Sequence, residues 1–147
     1  MIIDTNFLEN LSHDLKRIVL DASQAIMGIY EKNTFDTKIK SDGSPVTEAD
    51  ENANKIITQS LNIISPNISI VSEETYDKSH EIPNGPYWLV DPLDGTKEFI
   101  NKSKDFTVNI ALIEAGKSVY GNICAPITGQ IWSGKKKKKS LPNEDNI

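Results

Sequence analysis

Trp88-Leu89-Val90-Asp91-Pro92-Leu93-Asp94-Gly95-Thr96-Lys97-Glu98-Phe99 is the stretch on which the reading of the whole chain turns. Tyr87 to Val90 is apolar and β-prone, with Asn84-Gly85-Pro86 before it and Asp91-Pro92 after it, the pattern of a short buried strand. Pro92 has no amide hydrogen to give to a ladder, so the chain is expected to leave the sheet at Asp91. Two carboxylates three residues apart then fall in a tight turn, and Gly95 can take a backbone angle that side chains resist. From Thr96 the composition suits a helical turn whose first amides point back at the aspartates. Carboxylates beside such amides suit a hard cation and a phosphate together. An Asx turn with Asp94 capping a helix explains the bare D-x-x-D-G string equally well, and on that string alone it is the commoner outcome.

The flanking sequence supplies helices and further strands. Phe7 to Tyr30 carries Leu8, Leu11, Leu15, Ile18, Val19, Ala22, Ala25, Ile26 and Ile29 at helical spacing, with Lys16, Arg17, Asp21 and Gln24 on the other face. Thr47 fits the N-cap of a second helix, with Asp50 three residues on in capping-box position and Ala49, Ala53, Ile56, Ile57, Leu61 and Ile64 as its apolar stripe. Short strands are predicted at Thr37–Lys40 and Ile68–Val71. Three more, Phe106–Ile113, Ser118–Cys124 and Gln130–Ser133, form an antiparallel meander. Should Ile68–Val71 lie parallel to Tyr87–Val90, Glu73 and Asp91 would meet at one edge of the sheet. Thr75 to Pro86, which includes His80, reads as a polar flap. The expected fold is α+β, two long helices packed on one face of a mainly antiparallel sheet.

Composition narrows the function. The 147 residues are one domain's worth and carry a net charge of −5 even with five lysines at Lys135–Lys139. An acidic body argues against nucleic acid as partner, and no apolar run is long enough for a transmembrane segment. Met1-Ile2-Ile3-Asp4 lacks the basic and apolar parts of a signal peptide, and Cys124 has no second cysteine, so a cytoplasmic location is expected. Residues 1–134 are expected to form the folded domain. For 135–147, a basic tail touching the inner face of a membrane and slippage in an adenine-rich lysine-coding tract are the two readings; slippage is preferred, with the tail disordered.

Together, Asp21–Tyr30, Ser44-Pro45-Val46-Thr47-Glu48-Ala49-Asp50, Val71-Ser72-Glu73-Glu74, Tyr87–Ile100 and Phe106–Ile113 resemble the inositol monophosphatase superfamily of magnesium-dependent phosphatases. Within it they are most similar to the bacterial 3'(2'),5'-bisphosphate nucleotidases, on Lys97-Glu98-Phe99 after Asp-Gly-Thr. The resemblance implies the N-terminal half of the αβαβα sugar-phosphatase sandwich, without the C-terminal half. It implies that Glu73, Asp91 and the Leu93 carbonyl hold a first Mg²⁺ and that Asp91 and Asp94 share a second. That second site would be short of one ligand from the other half. It further implies that Asp50 and Thr96 orient and deprotonate the attacking water, with Gly95 and Thr96 at the substrate phosphate. The implied substrate is a small phosphorylated nucleotide, adenosine 3',5'-bisphosphate, with the other half supplied separately or by a dimer and with weak turnover by these residues alone. An inositol phosphatase and a metal-binding remnant without turnover are the alternatives.

Overall fold

A computed structural model describes residues 3, 5–32, 34–76 and 81–136. Helix α1 (Thr5–Tyr30) buries Leu8, Leu11, Leu15, Ile18, Val19, Ala22, Ile26 and Ile29 and leaves Lys16, Arg17, Asp21 and Gln24 exposed, as its period requires. The chain returns through a small antiparallel hairpin, β1 (Thr37–Ile39) and β2 (Pro45–Thr47), whose second strand the sequence pattern did not announce. Helix α2 (Glu48–Ile64) starts on the expected capping box. Thr47 Oγ1 accepts from the amides of Ala49 and Asp50 at 3.1 and 3.4 Å, and Asp50 Oδ2 accepts from the Thr47 amide at 2.8 Å.

Five strands follow: β3 (Ser69–Ser72), β4 (Tyr87–Asp94), β5 (Thr107–Glu114), β6 (Lys117–Ala125) and β7 (Gln130–Lys135), with the short helix α3 (Thr96–Ile100) after β4. They lie side by side in sequence order; β3 pairs with β4 in parallel and every other pair is antiparallel. α1 packs against β5 and β6, α2 against β4, and the two helices against each other. The core is therefore one layer of helix on one sheet face, the α+β arrangement expected. Trp88, fully buried on that face, donates its indole N–H to Ser65 Oγ at 2.8 Å, and Ser65 donates to the Leu61 carbonyl at 2.8 Å, tying the end of α2 to β4.

Two boundaries differ from expectation. The chain does not leave the sheet at Asp91: β4 runs on to Asp94, with Asp91 opposite Asn109 and Asp94 opposite Thr107. Two residues, Pro92 and Leu93, thus face the single Val108 across the ladder. The extra residue makes a bulge, and a bulge is where a strand can tolerate a proline that donates nothing. At the other end, β7 continues through Lys135, which pairs with Tyr120 and reaches Glu9 at 3.3 Å, so the folded part passes the boundary set at residue 134. The rest of the predicted tail, 137–147, and residues 77–80 of the flap lie outside the described residues.

Ser65→Ala would leave the Trp88 indole N–H buried without an acceptor, a loss of about 1–3 kcal/mol. Urea unfolding should show a lower midpoint with an unchanged slope. An unchanged midpoint would show that the bond contributes nothing to holding α2 on the sheet.

Candidate active site

The bulge decides which way the aspartates face. Side chains alternate along a strand, so residues three apart normally point to opposite sides. In β4 Trp88 and Val90 are buried and Leu89 exposed; Pro92 and Leu93 are then both buried, and Asp94 is exposed again. The added residue resets the alternation and puts Asp91 and Asp94 on the same, helix-free face. Asn109, the ladder partner of Asp91, donates its side-chain amide to Asp94 Oδ2 at 3.4 Å, which fits this placement.

The parallel pairing of β3 and β4 brings in the third acid. Ser72 is level with Val90, and the Glu73 amide donates to the Val90 carbonyl at 2.9 Å, so Glu73 sits beside Asp91 at the strand ends. Gly95 follows at φ 96° and ψ 43°, the left-handed region, and a Cβ there would stand 2.8 Å from the Asp105 carbonyl oxygen. It starts α3, whose first turn no side chain caps. Thr96 then donates its hydroxyl to Asp50 Oδ1 at 2.8 Å and lies 3.4 Å from the Leu93 carbonyl oxygen. Asp50 is fully buried, and its other oxygen accepts from both the amide and the hydroxyl of Thr47, at 2.8 and 2.7 Å. It therefore caps α2 and holds Thr96 at once.

A cleft of about 250 Å³ gathers these groups: Glu73, Asp91, Leu93, Asp94, Gly95 and Thr96 all line it. Sequence reasoning missed two further members, Lys40 and Glu74. Lys40 follows β1 and reaches Glu74 at 3.1 Å, with most of both side chains buried. Burial works against the Lys40 charge, but Glu74, Glu73 and Asp50 together hold its pKa above the ordinary value. The Glu74 carboxyl is pushed up by burial despite that lysine. A lone Lys40 in a polar hairpin carries no sequence signal; only the fold brings it over the acids.

The donors, hard carboxylate oxygens and a backbone carbonyl, are those Mg²⁺ takes. One observation fits a cation: Asp91 Oδ1 is buried with no hydrogen-bond partner among the described residues, and the Asp91 pKa is pushed up to about 6 by burial, then by Asp94, Glu73 and Glu74. A positive ion would relieve this. Among the described residues, however, no three His, Cys, Asp or Glu side chains are gathered closely enough to hold an ion as they stand. The backbone brings the acids to one rim without closing their oxygens on a common point.

A family model described as the inositol monophosphatase family matches residues 8–147. The chain belongs to the inositol monophosphatase family. It is 41% identical over 130 residues to the 3'(2'),5'-bisphosphate nucleotidase CysQ of Buchnera aphidicola, covering 87% of this chain and 49% of that one. It is likewise 41% identical over 125 residues to CysQ of Escherichia coli K12, covering 83% and 50%. Among solved structures, CysQ from Bacteroides thetaiotaomicron superposes with a TM-score of 0.68 at 33% identity, over 90% of this chain and 48% of that one. The suhB protein of Bartonella henselae reaches a TM-score of 0.76 at 27% identity, over 92% and 52%. The chain spans about half the length of the curated relatives it matches. Among the described residues no helix is long and apolar enough to cross a membrane.

The raised Asp91 pKa has a definite sign. Between its ordinary value of 3.8 and about 6 the unfolded chain ionises first, so this group's contribution to stability falls as pH rises through that window. With chelator present, Asp91→Asn should raise the thermal midpoint at pH 7.5 and leave it near wild type at pH 4. A lower midpoint at pH 7.5 would show that Asp91 is not under like-charge strain.

Proposed function

We propose that this chain carries the catalytic rim of a Mg²⁺-dependent phosphomonoesterase acting on a small phosphorylated nucleotide, adenosine 3',5'-bisphosphate, as water attacks its 3'-phosphate. The observation that carries the reading is the Thr96–Asp50 hydrogen bond beside the Glu73–Asp91–Asp94 rim, in a chain 41% identical to nucleotidases over 130 residues. In this reading Glu73, Asp91 and the Leu93 carbonyl hold one Mg²⁺, and Asp91 and Asp94 take part in a second. Bound there, the metal would supply positive charge for the phosphate oxygens and an acidified water.

The rest falls to the chain's own groups. Thr96 gives its hydroxyl proton towards Asp50 Oδ1, which leaves the Thr96 Oγ1 lone pairs to accept a proton from a water lying over the rim. Asp50 can serve as the final base because its second oxygen is occupied by Thr47, which fixes the carboxylate and turns Oδ1 to Thr96. In this reading the amides of Gly95 and Thr96, at the uncapped start of α3, bind phosphate oxygens, and Lys40 adds an ammonium at the edge of the cleft. A cytoplasmic location is part of the proposal, resting on the lone Cys124, whose buried Sγ accepts a hydrogen bond from the Ser23 hydroxyl.

Phosphate release by the 147-residue chain with Mg²⁺ tests this. The proposal expects slow turnover of adenosine 3',5'-bisphosphate, faster than of inositol 1-phosphate, and a fall of about 10²-fold or more in Thr96→Ala, the usual size of a lost proton-transfer group. Equal or reversed preference would favour the inositol phosphatase. Mg²⁺ binding without any release would leave a metal-binding remnant.

A further inference from the structure

β3 ends the sheet on one side, a short strand paired, among the described residues, with β4 alone. Glu73 lies just past its end, where a sheet edge gives the chain least support. The ladder holds that end at one point, through the Glu73 amide on the Val90 carbonyl. The turn beyond is built around Ser72. Its carbonyl accepts from the amides of Thr75 and Tyr76 at 3.1 and 2.7 Å, and its hydroxyl oxygen accepts from the Glu74 amide at 3.4 Å. Whatever holds the Ser72 side chain therefore holds the turn that carries Glu73 and Glu74. Ser72 is fully buried, so its hydroxyl proton needs an acceptor inside the protein, and it finds Asn54 Oδ1 at 2.5 Å.

Asn54 stands on α2 one turn after Asp50, about 6 Å further along the axis and on the same helix face. Asp50 Oδ1 takes the hydroxyl of Thr96 at 2.8 Å, and Asn54 Oδ1 takes that of Ser72. Thr96 follows the end of β4 that carries Asp91 and Asp94, while Ser72 immediately precedes Glu73. One face of one helix thus grips the rim on both sides, each time through a side-chain oxygen that accepts from a hydroxyl. Mg²⁺ takes its ligands at short distances and near-octahedral angles, so the separation of the donors matters to a site for it. Resting on the reading of the rim as a cation site, we propose that Asn54, acting through Ser72, is a positioning residue for Glu73. In this arrangement α2 spaces the Glu73 side of the rim from its Asp91–Thr96 side by one helical turn. A cation then has only carboxylate side chains to draw in, on backbones already set apart.

Amide exchange followed by NMR on the metal-free 147-residue chain, together with Mg²⁺ titration of the same protein, tests this. In Asn54→Leu the amides of Glu74, Thr75 and Tyr76 should exchange about tenfold faster or more, while those of α1 and β5 keep their rates. Asn54→Asp keeps an acceptor oxygen in the same place and should keep the wild-type rates. Leucine serving as well as aspartate would mean that Asn54 only fills space. Should Asn54→Leu loosen the whole chain, Ser72→Ala removes the same bond from its other end, read at Thr75 and Tyr76. The Kd for Mg²⁺ should rise about tenfold or more in the variant that lacks the bond, the usual effect of losing a group that orients a metal ligand. Unchanged exchange at Thr75 and Tyr76 in both variants, or Mg²⁺ held as tightly without the bond, would overturn the positioning role. A wild-type chain that binds no Mg²⁺ would instead refute the cation reading, and the exchange rates alone would then decide whether Asn54 fixes the turn.

Discussion

One extra residue in one strand governs this site. Without the bulge at Pro92–Leu93, Asp94 would turn into the helix layer while Asp91 stayed outside, and no rim of carboxylates could form. The bulge also explains why a proline is tolerated inside a paired strand. Gly95, which no side chain can replace without striking the Asp105 carbonyl, then swings the chain into α3 and delivers Thr96 back to the rim. The parallel partner β3 contributes Glu73 at the same level. The whole acid set thus depends on backbone geometry across two neighbouring strands.

Burying Asp50 completely is costly unless its oxygens are satisfied, and they are, by Thr47 on one side and Thr96 on the other. The same carboxylate therefore fixes the start of α2 and the position of α3, and couples the helix layer to the rim. Asp91 is the opposite case. Its buried oxygen has no partner among the described residues and its neighbours are acids, so the isolated rim is electrostatically strained. Lys40 offsets part of this at Glu74 but does not reach the Asp91 oxygen. Such a rim is a poor structural device unless a positive charge offsets it.

Much of this was legible in the residues. The periods of α1 and α2, the Thr47–Asp50 capping box, the meander and the Gly95 turn all follow from local patterns, and those patterns agree with the packing. The end of β4 was not legible, because Pro92 reads as a strand stop and only pairing with β5 shows that the ladder resumes at Asp94. β2 was missed because Pro45-Val46-Thr47 is short and doubles as the lead into a helix cap. Lys40 and Glu74 were missed as site members because their meeting is set by tertiary contact between residues far apart in sequence. The assembly of Asp50, Glu73, Asp91, Asp94 and Thr96 rested on resemblance to a family. Spacing alone gave each of them an ordinary alternative.

The central claim is that the rim is a cation receptor built by the bulge. Isothermal titration of the chelator-treated chain with Mg²⁺ tests it most directly. The account predicts saturable binding that is weakened at least tenfold in Asp91→Asn, with the fold intact by circular dichroism. Absence of saturable binding, or equal binding by the variant, would contradict it.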